Sequence, residues 1–285
     1  MASVGIIVHH EREQAADLAR DAADWLEERG HAVVMPTRDA GLAGRPELGV
    51  AEAVFGRNLD VVLSLGGDGT MLRSVSLVCA DQTPVIGVNV GQLGYLSEVE
   101  PAGLRMALKR FLAGSYEVEE RMMLDVHVES DAFEAGPSHT ALNEAVLEKT
   151  PMGHTVRLAV SVDGDQFLTY AADGLIVATP TGSTAYAFSA RGPIVEPTHR
   201  ALQLTPVSPH MLFDRSLLLA PSAVVRIEVL GHRPATLSVD GSNLGTLRQG
   251  DAVTYTAAEA TARIVAFGPR HFLRILKSKF GLSDR

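Results

Sequence analysis

Several residue types that mark specialised classes of protein are scarce in this chain. Cys79 is the one cysteine among 285 residues, so no internal disulfide can form, and a reducing compartment suits the protein. No segment approaches the ~20 consecutive apolar residues of a membrane-spanning helix. The amino terminus lacks a basic start, and its short apolar run at residues 5–8 predicts a buried strand rather than a signal peptide. We therefore expect a cytoplasmic protein with no membrane partner.

Basic residues are also fewer than acidic residues. The chain has 25 lysines and arginines against 34 aspartates and glutamates, which gives a formal net charge of −9. A protein this acidic has no general electrostatic attraction for nucleic acid or anionic lipid. We expect no nucleic-acid partner, and any phosphate ligand must be held by local geometry.

The composition and length predict a globular protein of two domains. Hydrophobic residues make up 46% of the chain and charged residues 21%, as is usual for globular proteins. A chain of 285 residues exceeds the length that one hydrophobic core commonly serves.

In about the first 115 residues strand and helix patterns alternate, which predicts a parallel sheet with crossover helices. Strands are predicted at 5–8, 31–35, 59–65 and 84–90, and helices at 11–29, 70–80 and 101–112. The Gly-rich polar segment 39–49 predicts a mobile loop.

From about residue 116 the pattern changes to short strands separated by turns, which predicts a sandwich or a related all-β domain. Strands are predicted at 124–128, 157–162, 166–170, 174–178, 224–229, 235–239, 253–256 and 263–267. Residues 271–280 return to a helix pattern with one apolar side. Docking on the first domain is the preferred role for this helix, because it is short and has few cations for a membrane surface.

A glycine-rich loop with one carboxylate follows a predicted buried strand. It consists of Gly66, Gly67, Asp68, Gly69 and Thr70. Glycines let backbone N–H groups approach a phosphate, and the start of the next helix adds partial positive charge. An aspartate would repel phosphate, so it suits a base that accepts a proton from a substrate hydroxyl, or a group that faces a phosphate-bound Mg²⁺. The alternative is a tight turn with an N-capping residue.

Two later segments suit a dinucleotide. Asn143 and Glu144 precede an apolar run, and an amide beside a carboxylate can bind vicinal ribose hydroxyls, although solvation at a sheet edge is the alternative. The strand predicted at 174–178 runs into a turn rich in threonine and serine, where a base or a phosphate can approach the backbone. A capped helix start explains the hydroxyl residues of this turn but not Asp173 and Tyr186, which bracket it.

Taken in order, these segments resemble the bacterial NAD kinases that use ATP or polyphosphate. The matching pieces are residues 66–70, 89–96, 143–144, 173–186, 208–210 with Arg215, and 239–241. The glycine–aspartate loop is shared with lipid kinases and phosphofructokinases, whereas the run 173–186 is far more specific. One position departs from the family: Arg191 stands where a second glycine is usual.

The resemblance implies a Rossmann-like α/β domain at residues 1–117, a β-sandwich dinucleotide-binding domain at 118–267, and a carboxyl-terminal helix, 268–285, that packs on the first domain. It implies phosphoryl transfer from ATP, or also from inorganic polyphosphate, to the 2′-hydroxyl of the adenosine ribose of NAD, giving NADP. Mg²⁺ or another divalent cation is the implied cofactor. A homodimer or homotetramer is the implied assembly.

The resemblance also implies roles for single residues. Asp68 is the catalytic base, and Tyr95 closes on the adenine side. The phosphate site is lined by Gly67, Gly69 and Thr70. The dinucleotide is held by Asn143, Glu144, Asp173, Thr184, Ala185, Tyr186, Ser189 and Asp240. No separate set of protein metal ligands is predicted.

Two other functions share part of the pattern. A lipid kinase could carry the same loop, but the net charge of −9 disfavours the membrane-facing surface that it needs. A non-catalytic NAD-binding regulator would not need Asp68. His10 is expected to be a solvated loop residue. For His210 and Arg215, contact with phosphate and packing of a loop both stay open.

Overall fold

The computed structural model describes residues 1–91, 94–130, 132–150, 154–268 and 272–282. The chain forms two compact units: Met1–Glu120 with Ala262–Arg285, and Arg121–Thr261. The sequence-based domain limits 1–117, 118–267 and 268–285 stay predictions. Within the described ranges, every helix is too short or too polar to cross a bilayer.

A parallel sheet flanked by helices forms the first unit. Its elements are β1 (Ser3–Val8), α1 (Glu13–Glu27), β2 (Ala32–Pro36), α2 (Thr37–Leu42), β3 (Gly49–Val50), α3 (Glu52–Phe55), β4 (Val61–Gly66), α4 (Asp68–Val78), β5 (Val85–Asn89) and α5 (Leu104–Leu112). The strands pair in parallel in the order β3-β2-β1-β4-β5, and Ile264, from the carboxyl-terminal part of this unit, pairs in parallel with Val85 of β5. This is the order of Rossmann sheets, in which ligands bind at the carboxyl ends of the strands where the order reverses. Here the reversal falls between β1 and β4.

Apolar patterning explains the layers of this unit. All six residues of β4 are buried, as expected of a strand covered on both faces. In α1, Ala15, Ala19, Ala22 and Leu26 recur every three to four positions and join the core. The predicted amino-terminal α/β domain is confirmed.

The prediction of a mobile loop at residues 39–49 is wrong. This segment begins inside α2, continues through a 3-10 turn at Pro46–Leu48 and ends at β3, which pairs with β2. The glycines of this segment suggested a loop, but Gly44 lies just after a short helix. It adopts the left-handed conformation (φ +71°) that commonly ends helices. The side chain of Asp39, in α2, is fully buried.

Two sheets packed face to face form the second unit. Its elements are β6 (Glu117–Glu129), β7 (Ser138–Ala141), β8 (Glu144–Lys149), β9 (Val156–Val162), β10 (Asp165–Ala172), β11 (Gly174–Ala178), α6 (Tyr186–Ser189), β12 (Leu202–Val207), β13 (Leu217–Leu219), β14 (Val225–Leu230), β15 (Ala235–Val239), β16 (Ser242–Leu247) and β17 (Ala252–Ala266). The start of β6, residues 117–120, and the end of β17, residues 262–266, belong to the first unit. One sheet has the order β10-β9-β14-β17, with β6 paired to β17 and β7, and the other has the order β13-β12-β11-β8-β15-β16. Alternate apolar residues of both sheets form one core, so the predicted sandwich is confirmed.

The end of the chain differs from prediction in one respect. The strands predicted at 253–256 and 263–267 are parts of one strand, β17. The intervening residues, 257–262, are mostly alanine and lack the apolar alternation that identifies a strand. The last helix, α7 (Phe272–Phe280), belongs to the first unit, as predicted. Residue 271, where this helix was predicted to begin, lies outside the described residues.

Arg191 follows α6 with a backbone φ of +67°, in the left-handed region. Its N–H donates to the carbonyl of Phe188, and its side chain is exposed. A glycine tolerates this conformation, whereas a residue with a Cβ is strained there. The departure from the family pattern therefore has a conformational cost.

Replacing Arg191 with glycine should stabilise the protein. Relief of strain outweighs the greater freedom of glycine in the unfolded chain, so we expect a gain of about 0.5–1 kcal/mol in the free energy of unfolding. Chemical denaturation measures it. Arg200→Gly is the control, because the exposed Arg200 does not have a positive φ and the change should destabilise. A loss of stability in Arg191→Gly would contradict the prediction.

Candidate active site

A cavity of about 580 Å³ opens in the first unit where the strand order reverses. It is lined by Val8, His9, His10, Glu11, Arg12, Gly67, Asp68, Gly69, Thr70, Arg73, Gly94 and Lys279. Val8 is the last residue of β1, residues 9–12 follow it, and residues 67–70 follow β4. The cavity thus lies where Rossmann sheets bind their ligands.

Asp68 is the first residue of α4, two residues before the predicted start of that helix. Its Oδ2 accepts a hydrogen bond from the backbone N–H of Tyr95 (3.0 Å), and its Oδ1 accepts one from Leu96 (3.1 Å). A methyl group on Gly94 would overlap Oδ1, so this close approach requires glycine. The N-capping alternative is wrong, because Gly67 occupies the cap position and no side chain caps the helix. The two N–H groups fix the carboxylate, and each oxygen keeps a second lone pair for a ligand.

The glycines of the loop have two different functions. A Cβ on Gly66 would overlap the hydroxyl of Thr70, which is buried beneath the loop. Nothing lies within 4 Å of the Cβ positions of Gly67 and Gly69, so the backbone there is open to an incoming group. The start of α4 also has N–H groups that the helix itself leaves unsatisfied, as anion sites require.

Asp39 binds three segments around the cavity. Its buried carboxylate accepts from the N–H of Val8 at 2.8 Å and from both terminal nitrogens of Arg73 at 2.9 Å. The Nε2 of His10 lies 3.4 Å from Asp39 and 3.1 Å from Arg73, and the His10 side chain is 24% exposed. His10 belongs to this network, so its prediction as a solvated loop residue is wrong. Arg73 also pairs with Glu52.

Tyr95 faces the end of α7. The Nζ of Lys279 lies 4.0 Å from the centroid of the Tyr95 ring. Burial, and then the charge of Asp68, raise the pKa of the Tyr95 phenol, so the ring stays neutral at physiological pH.

In the second unit, Asp240 organises the chain around Asn143 and Glu144. Asp240 (φ +45°) and Gly241 (φ +77°) join β15 to β16 as an Asp-Gly hairpin turn. The Asp240 carboxylate accepts from three consecutive N–H groups: Leu142 at 2.7 Å, Asn143 at 2.8 Å and Glu144 at 3.1 Å. Burial raises the pKa of Asp240, although these donors act in the opposite direction. Asp240 therefore positions its two predicted partners.

Glu144 is 7% exposed and begins β8, which lies between β11 and β15. The edge-strand alternative for this segment is wrong. Burial, and then the charge of Asp240, raise the pKa of Glu144 to about 8. Its Oε2 is buried without a hydrogen-bond partner among the described residues. Since buried polar atoms are normally paired, this oxygen suits a ligand that donates a hydrogen bond.

The serine- and threonine-rich segment forms a 3-10 turn at Thr181–Thr184 that leads into α6. A methyl group on Gly182 would overlap the carbonyl of Asn143, so glycine lets the turn pack on that residue. Asp173 forms an ion pair with Lys149 at 2.8 Å. Burial, and then the charges of Glu148 and Asp173, raise the pKa of Tyr186.

The other predicted site residues differ in exposure and in hydrogen bonding. The hydroxyl of Thr184 donates to the carbonyl of Thr181 at 3.3 Å, Ala185 is half-buried and Ser189 is exposed. Arg215 has an 83% exposed side chain that pairs with Asp214, and the N–H of His210 binds the carbonyl of Ala171.

Sequence reasoning missed Arg12, Asp39, Arg73 and Lys279 at or beside the cavity of the first unit, and Lys149 beside Asp173 in the second unit. Arg73 follows Gly69 by one helical turn, and this spacing could have identified it. Asp39 gives no such signal, because its segment had been predicted as a loop.

Comparison with known proteins finds a family match for each of the two units. Residues 4–116 match the model of the ATP-NAD kinase N-terminal domain, and residues 142–267 match that of the ATP-NAD kinase C-terminal domain. A protein named NAD kinase from Heliobacterium modesticaldum is 42% identical over 281 residues, which cover 98% of each chain. The chain belongs to the NAD kinase family.

Solved members of the NAD kinase family share the fold. A yeast NADH kinase in complex with NADH superimposes with a TM-score of 0.89 at 25% identity, covering 100% of this chain and 89% of the yeast chain. An NAD kinase from Archaeoglobus fulgidus in complex with ATP gives a TM-score of 0.75 at 25% identity, covering 98% of each chain. Within this family, the chain brings Asp68, Gly67, Gly69, Thr70 and Tyr95 together in its first unit. Its second unit brings Glu144 together with Asn143 and Asp240.

Glu144 should make stability depend on pH. Its folded-state pKa of about 8 lies above the ordinary value of 4.5, so folding favours the protonated acid. This contribution to stability is full below about pH 4.5 and is lost as the pH rises through 8. Glu144→Gln mimics the protonated acid, so its stability relative to wild type should increase from pH 5 to pH 8.5 by a few kcal/mol, at about 1.4 kcal/mol per pKa unit. Urea denaturation at several pH values tests this, and a difference that is constant across the range would contradict it.

Proposed function

We propose that this protein is an NAD kinase that transfers the terminal phosphoryl group of ATP to the 2′-hydroxyl of the adenosine ribose of NAD. The observation that carries this proposal is a fixed carboxylate, Asp68, at the start of α4 in a cavity that Arg12, Arg73 and Lys279 also line. The relatives named NAD kinase and the likeness to kinases in complex with NADH and with ATP support it.

In the proposed reaction, Asp68 accepts the proton of the 2′-hydroxyl. The bond from the 2′-oxygen to the γ-phosphorus forms as the bond from that phosphorus to the β–γ bridging oxygen breaks, and ADP leaves with the electron pair. The amides of Tyr95 and Leu96 hold the carboxylate in one orientation, which general-base catalysis needs. The open backbone at Gly67 and Gly69 and the start of α4 bind the donor phosphates.

The residues fit a divalent cation that arrives with the donor. No cluster of three or more potential metal ligands occurs among the residues that the structure describes. Mg²⁺ is commonly bound through one or two carboxylates together with substrate phosphates, and Asp68 supplies one such carboxylate. When bound, Mg²⁺ would neutralise charge on the phosphates. Inorganic polyphosphate presents the same phosphoanhydride chain, and we propose it as a second donor.

We propose that the second unit binds the dinucleotide. The unpaired, buried Oε2 of Glu144 can accept a hydrogen bond from a ribose hydroxyl, and Asn143, which is held by Asp240, can bind beside it. Asp173, Thr184, Ala185, Tyr186 and Ser189 complete the proposed set. A lipid kinase would need an apolar or basic face at its site, and these acidic side chains disfavour it.

The base assignment predicts the behaviour of Asp68→Asn. This variant keeps the size of the side chain but cannot accept the proton, so turnover should fall on the order of 10²-fold or more, with little change in the KM values for NAD and ATP. Steady-state NADP formation measures all three constants. Glu11→Gln is the control, because it removes another carboxylate from the same cavity and should keep near-normal turnover.

Two results would revise this assignment. Near-normal turnover in Asp68→Asn would make Asp68 a structural residue. Loss of NAD affinity together with turnover would make it a residue that positions the substrate.

We further propose a homodimer or homotetramer in the cytoplasm. A cytoplasmic location fits the single free cysteine. Strand β10 is the edge of its sheet, and unpaired edges favour pairing between chains. Near this edge, Phe213 contacts Phe167 of β10 with ring centroids 5.7 Å apart, and the neighbouring Leu212 is fully exposed.

Light scattering should therefore give two or four times the 30.4 kDa mass of one chain. Leu212→Glu places a charge on this surface and should lower the mass, because burying an unpaired charge is costly. Met106→Glu, an equally drastic change at an exposed residue of the first unit, should leave the mass unchanged. A fully active wild-type monomer at micromolar concentration would exclude the assembly.

A further inference from the structure

The carboxyl-terminal helix places a cation at the proposed donor site. Lys279 lies in the last turn of α7 and lines the cavity beside Gly67, Asp68 and Gly69. Its Nζ lies 4.0 Å from the centroid of the Tyr95 ring. A lysine more than 200 residues along the chain from the glycine loop thus reaches the same site.

Lys279 differs from Arg73 in how its charge is compensated. Arg73 is held by Asp39 and Glu52. In the part of the chain that the structure describes, no carboxylate lies within 4.0 Å of the Lys279 ammonium. A cation–π contact at an exposed site is worth about 0.5–1 kcal/mol, which holds the ammonium weakly. Its four-carbon stem lets it move to a stronger partner.

We propose that Lys279 binds the oligophosphate chain of the phosphoryl donor, and that its contact with Tyr95 is the resting position of the side chain before the donor binds. This rests on the proposed function of the cavity. An oligophosphate is the ligand class that fits, because the opening combines the start of a helix, open glycine backbone and a mobile ammonium. The Tyr95 ring is neutral, so its contact with the ammonium adds no negative charge of its own that would compete with phosphate.

The contact also connects α7 with the catalytic carboxylate. The backbone N–H of Tyr95 donates to Asp68, and the ring of the same residue carries Lys279. Lys279 therefore contacts the donor and the segment that orients the base. It is a binding residue for the donor, and its loss should affect donor affinity before turnover.

The test compares Lys279→Gln with Arg274→Gln and Lys279→Arg. Arg274 is exposed on the same helix and does not line the cavity, so its variant removes the same charge elsewhere. Calorimetry of each full-length protein with Mg²⁺-ATP and with Mg²⁺-tripolyphosphate, without NAD, measures donor binding. Steady-state assays measure the KM for ATP and for NAD.

We expect Lys279→Gln to weaken binding of both ATP and tripolyphosphate about 5- to 10-fold, as loss of one charge-assisted contact implies. The KM for NAD should stay unchanged, Lys279→Arg should retain most of the affinity, and Arg274→Gln should bind as wild type does. A merely structural role would instead lower the thermal unfolding temperature and change both KM values together.

Three results would overturn the proposal: unchanged donor affinity in Lys279→Gln, an equal loss in Arg274→Gln, or a loss for ATP but not for tripolyphosphate, which would indicate contact with the nucleoside. These results are distinct from failure of the proposed function. A wild-type protein that binds ATP through Lys279 but makes no NADP would exclude the kinase assignment and leave this inference standing.

Discussion

A carboxylate that is removed from water needs hydrogen-bond donors from the protein, and three aspartates of this chain, two in the first unit and one in the second, show how the fold supplies them. Asp39, Asp68 and Asp240 each accept backbone N–H groups from segments distant in the chain. Asp39 holds helix α2 against the end of β1. Asp68 and Asp240 hold the segment after β5 and the turn before β8, which therefore have defined shapes although they lack regular structure.

The same constraint separates the carboxylates by function. Asp39 is fully buried and Asp240 is half-buried, and both are held by hydrogen bonds from protein groups. Asp68 has two amide donors and also lines an open cavity, so it retains free lone pairs. Glu144 is buried with one oxygen unpaired and a raised pKa. Such an arrangement lowers the stability of the free protein, and proteins retain it where a ligand completes the hydrogen bonds.

Local electrostatics reconcile an acidic protein with a polyanionic substrate. The net charge of −9 gives no long-range attraction to phosphate, and within the cavity cations are gathered around the start of α4. Arg73 forms ion pairs with Asp39 and Glu52. These ion pairs hold its side chain in place but reduce its attraction for an anionic ligand. Lys279 has no such carboxylate partner among the described residues, which is the reason for its proposed role in binding the donor phosphates.

The sequence by itself determined the features that are encoded locally. Apolar runs and alternating patterns predicted the α/β and all-β parts, and the glycines around Asp68 predicted a phosphate loop, because both signals depend on residues close together in the chain. The tertiary structure decided the rest. Asp39 was hidden in an apparent loop, Lys279 lies at the far end of the chain, and the function of Asp240 appears only when its carboxylate meets residues almost 100 positions away. These functions depend on burial and on contacts between residues far apart in the chain, and neither can be predicted from the local pattern of residues.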